Sequence, residues 1–254
     1  YGLVGSEMCI RDRSNTEVGD TIDVIGADGE IITAVPQKRN QTEEDVAPQQ
    51  KKSAEQQNNF QITDDALGVG SPKEKFRGNI EAISLLKKLE AENRLATSEE
   101  QEILSRYVGW GGLSAAFDDR KEEWSQEYQE LKSLLSEGEY KEARSSTLNA
   151  FYTPPTVIKA MYQILENMGL STGNVLEPSC GVGNFMGLVP ESMQNIQMYG
   201  VELDPISGKI AGQLYQKNRI EVKGFEKTEY PESFFDCVIG CLLYTSPSPR
   251  DRTR

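Results

Sequence analysis

The sequence predicts an α/β fold in which a parallel sheet with helices is preceded by a helical region. From residue 149 to residue 240, short apolar strand patterns alternate with helical patterns. This alternation is typical of a parallel sheet with right-handed crossover connections. From residue 60 to residue 148, apolar residues recur at helical spacing instead. Ligands of such sheets lie beyond the carboxyl ends of the strands, so the residues after each strand are candidates for a site.

Composition and charge argue against several classes of protein: nucleic-acid-binding, metal-binding, disulfide-rich and membrane-spanning. The chain has 40 acidic residues against 27 basic ones. Phosphate binding uses clustered Lys and Arg, so this acidic segment is not expected to form the main nucleic-acid-binding surface. The chain has no His, and two of its four Cys, Cys9 and Cys241, lie in terminal segments that are set aside below. The remaining Cys180 and Cys237 are too few for a zinc site and give no support to a disulfide framework. No apolar run approaches the roughly 20 residues of a membrane span, and we expect a cytoplasmic protein without a membrane partner.

Residues 1–13 and 241–254 are predicted to be artefacts derived from a sequencing adapter. A coding sequence for Leu3–Asp12, reverse-complemented and extended by its next bases, contains a coding sequence for Cys241–Asp251 in a shifted frame. Two unrelated protein segments should not share this relation, and such segments are excluded from fold reasoning. The natural part would then run from about residue 14 to residue 240, as an internal fragment of a longer protein. The alternative is two natural polar tails.

Residues 14–59 are predicted to form a polar linker that is largely disordered. One hairpin can form within Val18–Val35, where strand-like runs flank a turn around Gly29. The segment from residue 37 to residue 59 is rich in Gln, Lys, Glu and Asn and has almost nothing to bury.

The helical region is predicted for residues 60–148. One helix ends near Asn93, and Thr97–Glu100 has the pattern of a capping box that opens a second helix. Three glycines surround Trp110 in the following loop, Tyr107–Leu113. This loop is either a lid that faces a substrate or a buried packing corner, and we favour the packing corner. Lys121–Arg144 is predicted to be a charged helical pair around Gly138 with a solvated face.

The α/β region is predicted for residues 149–240. The predicted strands are near Asn174–Leu176, Met198–Leu203, Ile220–Lys223 and Phe235–Ile239. The predicted helices are Pro155–Met168, Asn184–Met193 and Ser207–Gln216. We expect the fourth strand to lie beside the first, in the middle of a complete sheet.

The segment Asn174–Phe185 carries the main chemical signal. A short apolar strand leads into Glu177 and Pro178, and the turn that follows is built on Gly181 and Gly183. Asn184 and Phe185 begin the next predicted helix. A strand, a glycine turn and a helix start bring backbone N–H groups close to a polar ligand.

The details of this turn point to one cofactor. The spacing Gly-x-Gly-x-x-x-Gly, from Gly181 to Gly187, differs from the Gly-x-Gly-x-x-Gly of dinucleotide-binding folds. Glu177 would repel a pyrophosphate but could bind the ammonium of an amino acid through the turn or water. S-adenosylmethionine is part amino acid and part nucleoside, and it has no phosphate. We therefore predict S-adenosylmethionine as the cofactor.

Two further elements complete the predicted site. Glu202 ends the second strand about twenty residues after the glycines, where an acid can accept hydrogen bonds from both ribose hydroxyls. Leu203 would lie against the adenine. Asp204 is predicted to be the N-cap of the next helix rather than a ligand of the ribose, because a proline follows it at the first helical position. Upstream, Thr153 is predicted as the N-cap of the first α/β helix, with Pro154 at its first position. Tyr152 and Thr153 would cover the methionine end of the cofactor, and Pro154 is predicted to bind the cofactor as well.

The motifs Phe151–Pro155, Leu176–Phe185 and Tyr199–Asp204 resemble those of the amino-adenine DNA methyltransferases in which the cofactor site precedes the catalytic loop. The stretch from residue 60 to residue 240 is similar to the methyltransferase region of very large methylase–helicase proteins of conjugative elements and phages. This wider similarity rests on three segments: Tyr107–Leu113, Ser145–Thr153 and Asp236–Gly240.

The resemblance implies a partial Rossmann-like class I methyltransferase sheet, truncated after the fourth strand. It implies methyl transfer from S-adenosylmethionine to the exocyclic amine of a flipped adenine in DNA. Phe225 and Glu226 would contact the adenine of the cofactor, although their order departs from the Asp-Phe of the family. The catalytic Asn-x-Pro-Phe or Asn-Pro-Pro-Tyr loop would follow Gly240 directly. No catalytic residue is therefore expected in this chain, which would be inactive by itself.

Partners and alternatives follow from the same resemblance. DNA would bind mostly through regions outside this chain, and a helicase domain can belong to the same native protein. One alternative is a non-catalytic methyltransferase-like scaffold within a helicase-type protein of a mobile element. Another is a methyltransferase that acts on RNA, protein or a small molecule. A nicotinamide-dependent dehydrogenase fits least, because of the glycine spacing and Glu177.

Overall fold

A computed structural model describes residues 6–8, 22–25, 31–34, 57–64, 68–148 and 152–243. Most of the predicted linker, most of both predicted adapter segments and Phe151 lie outside the described residues. The expectations for those parts stay predictions.

Three short strands lie in the N-terminal part of the chain. Strand β1 (Ser6–Met8) pairs antiparallel with β8 (Cys241–Leu243), so that Ser6 lies opposite Leu243. Strands β2 (Ile22–Ile25) and β3 (Ile31–Ala34) pair antiparallel with each other. This second pair lies within the segment for which the sequence predicts a hairpin.

The helical region contains α1 (Pro72–Ala91), α2 (Ser98–Leu104), α3 (Ser125–Leu134) and α4 (Glu137–Ser146). Thr97 and Glu100 form the predicted capping box at the start of α2. The break between α3 and α4 lies at Leu135–Ser136, because Ser136 caps α4 through its own box with Glu139. The prediction that Gly138 separates the two helices was therefore wrong; Gly138 lies in the first turn of α4.

The α/β region follows the predicted order of elements. It consists of α5 (Pro155–Asn167), β4 (Thr172–Glu177), α6 (Asn184–Gly187), β5 (Asn195–Glu202), α7 (Pro205–Leu214), β6 (Arg219–Val222) and β7 (Cys237–Val238). The four strands form one parallel sheet in the order β6-β5-β4-β7. Strand β7 lies beside β4, as predicted, and the partial Rossmann-like α/β fold is confirmed.

Several predicted boundaries differ from the structure, and three of the differences have a local cause. Helix α6 ends at Gly187 rather than near Met193, because Pro190 has no N–H to continue a helix. Strand β7 has two residues, since Phe234 and Phe235 turn onto one face of the sheet. The N-cap of α5 is Pro154 and not Thr153, because the residue before Pro155 is driven to extended geometry.

One hydrophobic core joins the helical region to one face of the sheet. It includes Phe76, Leu104 and Trp110 from the helical region together with Val175 and Ile210 from the α/β region. Trp110 is buried, which confirms the packing-corner interpretation for this side chain. The opposite face of the sheet carries a smaller cluster in which the Tyr199 ring contacts Phe234 and Phe235, and Tyr230 packs on Phe235.

Buried amides fasten α2 to the end of α7. The Gln101 side chain donates hydrogen bonds to the carbonyl oxygens of Gln213 (2.9 Å) and Leu214 (3.0 Å). Gln216 donates to the Ala96 carbonyl at 2.8 Å. Among the described residues, no helix has the length and apolar character required to cross a membrane.

Candidate cofactor site

The glycine turn connects β4 to α6 at the carboxyl edge of the sheet. Gly181 and Gly183 have φ angles of +55° and +82°, a conformation that favours glycine. Cys180 N–H donates to the Val201 carbonyl at 2.9 Å, which ties the turn to β5. Because α6 is a single turn, its dipole adds little, and the backbone of the turn itself is the polar surface of the site.

Two tyrosines occupy the space next to these glycines. A Cβ atom on Gly181 would lie 2.5 Å from Cε1 of Tyr152, and one on Gly183 would lie 2.6 Å from Cε2 of Tyr215. The glycines therefore allow both a left-handed backbone and close contact with aromatic rings. Sequence reasoning missed Tyr215, because nothing local in the sequence connects the end of α7 to the turn.

Glu202 lies at the end of β5 and contacts the glycine turn directly. Its two carboxylate oxygens accept hydrogen bonds from Gly181 N–H at 2.6 Å and from Asp204 N–H at 2.8 Å. Burial raises the pKa of Glu202, and backbone N–H donors, those of Asp204 and Gly181 foremost, oppose this shift. Each carboxylate oxygen keeps a second lone pair, so Glu202 can still accept hydrogen bonds from a ligand.

Glu177 is a buried acid with an unused oxygen. Its side chain is 3% exposed, and its Oε2 atom has no hydrogen-bond partner among the described residues. Burial first, and then the charge of Glu202, raise the pKa of Glu177 well above its ordinary value of 4.5. An acid in this state is poised to accept a proton or a cationic ligand.

The raised pKa of Glu177 should appear in the pH dependence of the free energy of unfolding. Below about pH 4.5 this side chain is protonated in both the folded and the unfolded chain. Above that pH the unfolded chain releases the proton first, so the stability that the raised pKa provides is lost as pH rises toward the folded pKa. The free energy of unfolding should fall by up to about 1.4 kcal/mol per pH unit more steeply in the natural chain than in Glu177→Gln.

Urea unfolding from pH 4.5 to pH 8 would measure this difference. The neighbours whose charges couple to Glu177 are Glu202, Cys180, Tyr162 and Tyr215. They are present in both chains, so the difference isolates Glu177. Parallel stability curves for the two chains would contradict the assignment.

A polar cluster joins Glu202 to Tyr152. Asp204 caps α7, as one of the sequence interpretations predicts, and accepts hydrogen bonds from the Ser207 backbone N–H (3.1 Å) and the Ser207 hydroxyl. The Ser207 hydroxyl lies 3.3 Å from the Tyr152 hydroxyl. Tyr152 in turn contacts Gly181, which donates to Glu202. The contacts therefore close on themselves, and we call this set of side chains, Glu202, Asp204, Ser207 and Tyr152, the polar ring around the glycine turn.

The remaining predicted site residues range from exposed to buried. Leu203 and Phe225 are 72% and 50% exposed and follow the neighbouring strands β5 and β6. Glu226 is exposed and folds back over Gly224. Thr153 and Pro178 are half-buried, and Pro154 is exposed. Asn184 and Phe185 are buried, and the Phe185 carbonyl accepts a hydrogen bond from Tyr162 at 2.8 Å, so these two lie on the core side of the turn.

Comparison with known proteins adds three relatives. The chain is 26% identical over 178 residues to the defense against restriction protein B of Escherichia phage P1, covering 69% of this chain and 6% of that protein. It is 33% identical over 90 residues to the type II methyltransferase M.CvrRI of Paramecium bursaria Chlorella virus XZ-6E, covering 35% of this chain and 23% of that protein. It is 26% identical over 98 residues to the modification methylase CviBIII of Paramecium bursaria Chlorella virus NC1A, covering 38% and 26%.

The chain thus spans about a quarter or less of the length of each of these relatives. No protein-family model matches it, and no solved structure matches it significantly. Two of the three relatives are named as a methyltransferase or a methylase. The chain therefore contains a methyltransferase-like region.

Proposed function

We propose that this chain carries the cofactor-binding part of an S-adenosylmethionine-dependent methyltransferase that modifies the N6 amine of adenine in DNA. The observation that carries the proposal is the presence of two acids, Glu202 and Glu177, at one glycine turn. Glu202 receives the Gly181 N–H, while the buried Glu177 next to it has an oxygen without a partner among the described residues. This arrangement fits a ligand with two hydroxyl donors and one cation, and it disfavours a phosphate.

Each part of the cofactor has a matching group. Glu202 would accept hydrogen bonds from the ribose hydroxyls, and Glu177 would face the ammonium directly, through the turn or through water. The exposed side chains of Leu203 and Phe225 would hold the adenine between them, since burying their apolar surface is favourable. Tyr152 and Thr153 would cover the methionine end. When bound, S-adenosylmethionine supplies an activated methyl group.

The substrate is the finer part of the proposal. The order of the motifs resembles that of the amino-adenine DNA methyltransferases, and the named relatives include a type II methyltransferase and a modification methylase. DNA is then the partner, with a cytoplasmic location and a helicase domain in the same native chain. Positioning of the target amine would require the Asn–Pro loop after Gly240.

A scaffold role is the second candidate, and natural residues after Gly240 that lacked the Asn–Pro loop would favour it. The residues Cys-Leu-Leu-Tyr-Thr that follow Gly240 here belong to the predicted adapter segment, so they do not decide between the two candidates. A methyltransferase-like domain without that loop would bind the cofactor, or nothing, and support a neighbouring domain. Under both candidates we expect this chain to transfer no methyl group by itself.

A ligand comparison on the full 254-residue chain tests the proposal. S-adenosylhomocysteine should raise the midpoint of thermal unfolding, because a ligand that binds only the folded state stabilises it. NAD at the same concentration should leave the midpoint unchanged, because its pyrophosphate would face Glu177. Both ligands contain adenosine, so the comparison isolates the rest of the molecule. Stabilisation by NAD, or by neither ligand, would contradict cofactor binding as proposed.

A further inference from the structure

The loop Tyr107–Leu113 reaches the candidate site although it belongs to the helical region. Gly109 has a φ angle of +67°, and a Cβ atom there would lie 3.0 Å from the hydroxyl oxygen of Tyr152 and 3.1 Å from its Cε2 atom. On the other edge of the ring, a Cβ atom on Gly181 would lie 2.5 Å from Cε1. The Tyr152 ring is therefore held between two glycine backbones, one from each region.

Asn79 anchors this loop from helix α1. Its side chain is 0% exposed. The Nδ2 atom donates a hydrogen bond to the Gly109 carbonyl at 2.6 Å, and Oδ1 accepts one from Val108 N–H at 2.9 Å. A buried amide needs such partners, and both partners of Asn79 are backbone groups of the segment that contacts Tyr152.

Tyr107, the first residue of the loop, lies in the same electrostatic environment. Its side chain is buried. Burial raises the pKa of Tyr107, and electrostatic coupling to Tyr152 and to the Asp204 carboxylate raises it further. The contact of the loop with the polar ring around the glycine turn is made at Gly109, against Tyr152.

We infer that Asn79 and Gly109 are positioning residues for the cofactor site, because they fix Tyr152 against Gly181. The inference rests on the proposed function in one respect: the ligand is taken to bind at the glycine turn. A packing corner alone would require Trp110 to be buried but would not require Gly109 to touch Tyr152. Tyr152 cannot move away from Gly109 without pressing on Gly181, so a small change in the loop is transmitted to the turn.

Two alanine variants of the same loop separate positioning from stability. Gly109 and Gly112 both have positive φ angles, +67° and +74°, so Gly109→Ala and Gly112→Ala carry similar backbone strain. The added Cβ meets Tyr152 only in Gly109→Ala, whereas nothing lies within 4 Å of it in Gly112→Ala. Both variants should lose stability in urea, Gly109→Ala somewhat more because its Cβ also presses on Tyr152, and both should remain folded without urea. Only Gly109→Ala should raise the Kd for S-adenosylhomocysteine, by about tenfold.

A second pair tests the anchor itself. Asn79→Ala and Gln101→Ala each remove a buried amide of the helical region that donates to backbone carbonyls. Asn79→Ala should raise the Kd by about tenfold, and Gln101→Ala should leave it within about twofold. Equal Kd values across either pair, in folded proteins, would overturn the inference.

A measurement without ligand distinguishes this inference from the proposed function. In protein labelled with 3-fluorotyrosine, the ¹⁹F resonance of Tyr152 can be assigned from its loss in Tyr152→Phe. Gly109→Ala and Asn79→Ala should shift this resonance, and Gly112→Ala and Gln101→Ala should not. This result would support positioning even if S-adenosylhomocysteine failed to bind the natural chain. An unmoved Tyr152 resonance in the first two variants would overturn it.

Discussion

Replacing Glu202 by glutamine is expected to weaken the binding of S-adenosylhomocysteine about 100-fold. Each oxygen of Glu202 accepts one backbone N–H, from Gly181 or from Asp204. In Glu202→Gln the amide NH₂ must therefore face one of these donors, whichever way the side chain turns. The variant also replaces two charge-assisted hydrogen bonds to the ribose. At about 1.5 kcal/mol each, their loss corresponds to about 100-fold in Kd.

Isothermal titration calorimetry on the full chain would measure this change. The matched control is Glu221→Gln, which neutralises an acid of the neighbouring strand whose carboxylate pairs with Lys223. The control should keep the natural Kd within about twofold. Unchanged affinity in Glu202→Gln would remove Glu202 from the site, whereas equal losses in both variants would point to a general charge effect.

The largest loss of stability is expected for Gly183→Ala. The φ angle of +82° costs an alanine about 1–2 kcal/mol. The new Cβ would also lie 2.6 Å from the Tyr215 ring, and Tyr215 is buried at the core and cannot yield. Overpacking of this kind costs about 1–3 kcal/mol, so the free energy of unfolding should fall by about 2–5 kcal/mol in total.

Urea unfolding at pH 7 checks this value against Gly212→Ala. Gly212 lies in α7 and a Cβ atom there meets nothing within 4 Å, so that variant should gain about 0.5–1 kcal/mol. A natural midpoint in Gly183→Ala would show that the turn relaxes freely, and that the glycine serves only the approach of a ligand.

The fold was predictable because local patterns determined most of it. Alternating apolar strands and helices gave the parallel sheet, and the pairing of β7 with β4 followed from the rules for such sheets. The predicted helix boundaries were less accurate where two adjacent residues could each act as the helix cap. Helix α5 begins at Pro155 as its predicted range has it, but with two consecutive prolines the N-cap is Pro154 rather than Thr153, and Pro190 shortened the helix after the glycines.

The candidate site was predictable only in its local parts. Glu202 could be chosen from its distance to the glycines, because a strand and a turn fix the spacing between them. The contacts of Tyr152 with Gly109 and of Tyr215 with Gly183 join segments about 30 to 40 residues apart. No periodicity connects such segments, and their meeting depends on how the helical region packs on the sheet. Asn79 was missed for the same reason, since a buried asparagine on an apolar helix face gives no signal before its partners are known.

The buried acid at the end of β4 has a consequence for the lifetime of the protein in a cell. Glu177 has an unpartnered oxygen among the described residues, and burying such an oxygen costs free energy that a bound cation would remove. On the proposed function, the folded population then rises with the supply of S-adenosylmethionine. Proteases act on chains that open transiently, so the protein should persist where the methyl donor is abundant and be degraded faster where it is scarce.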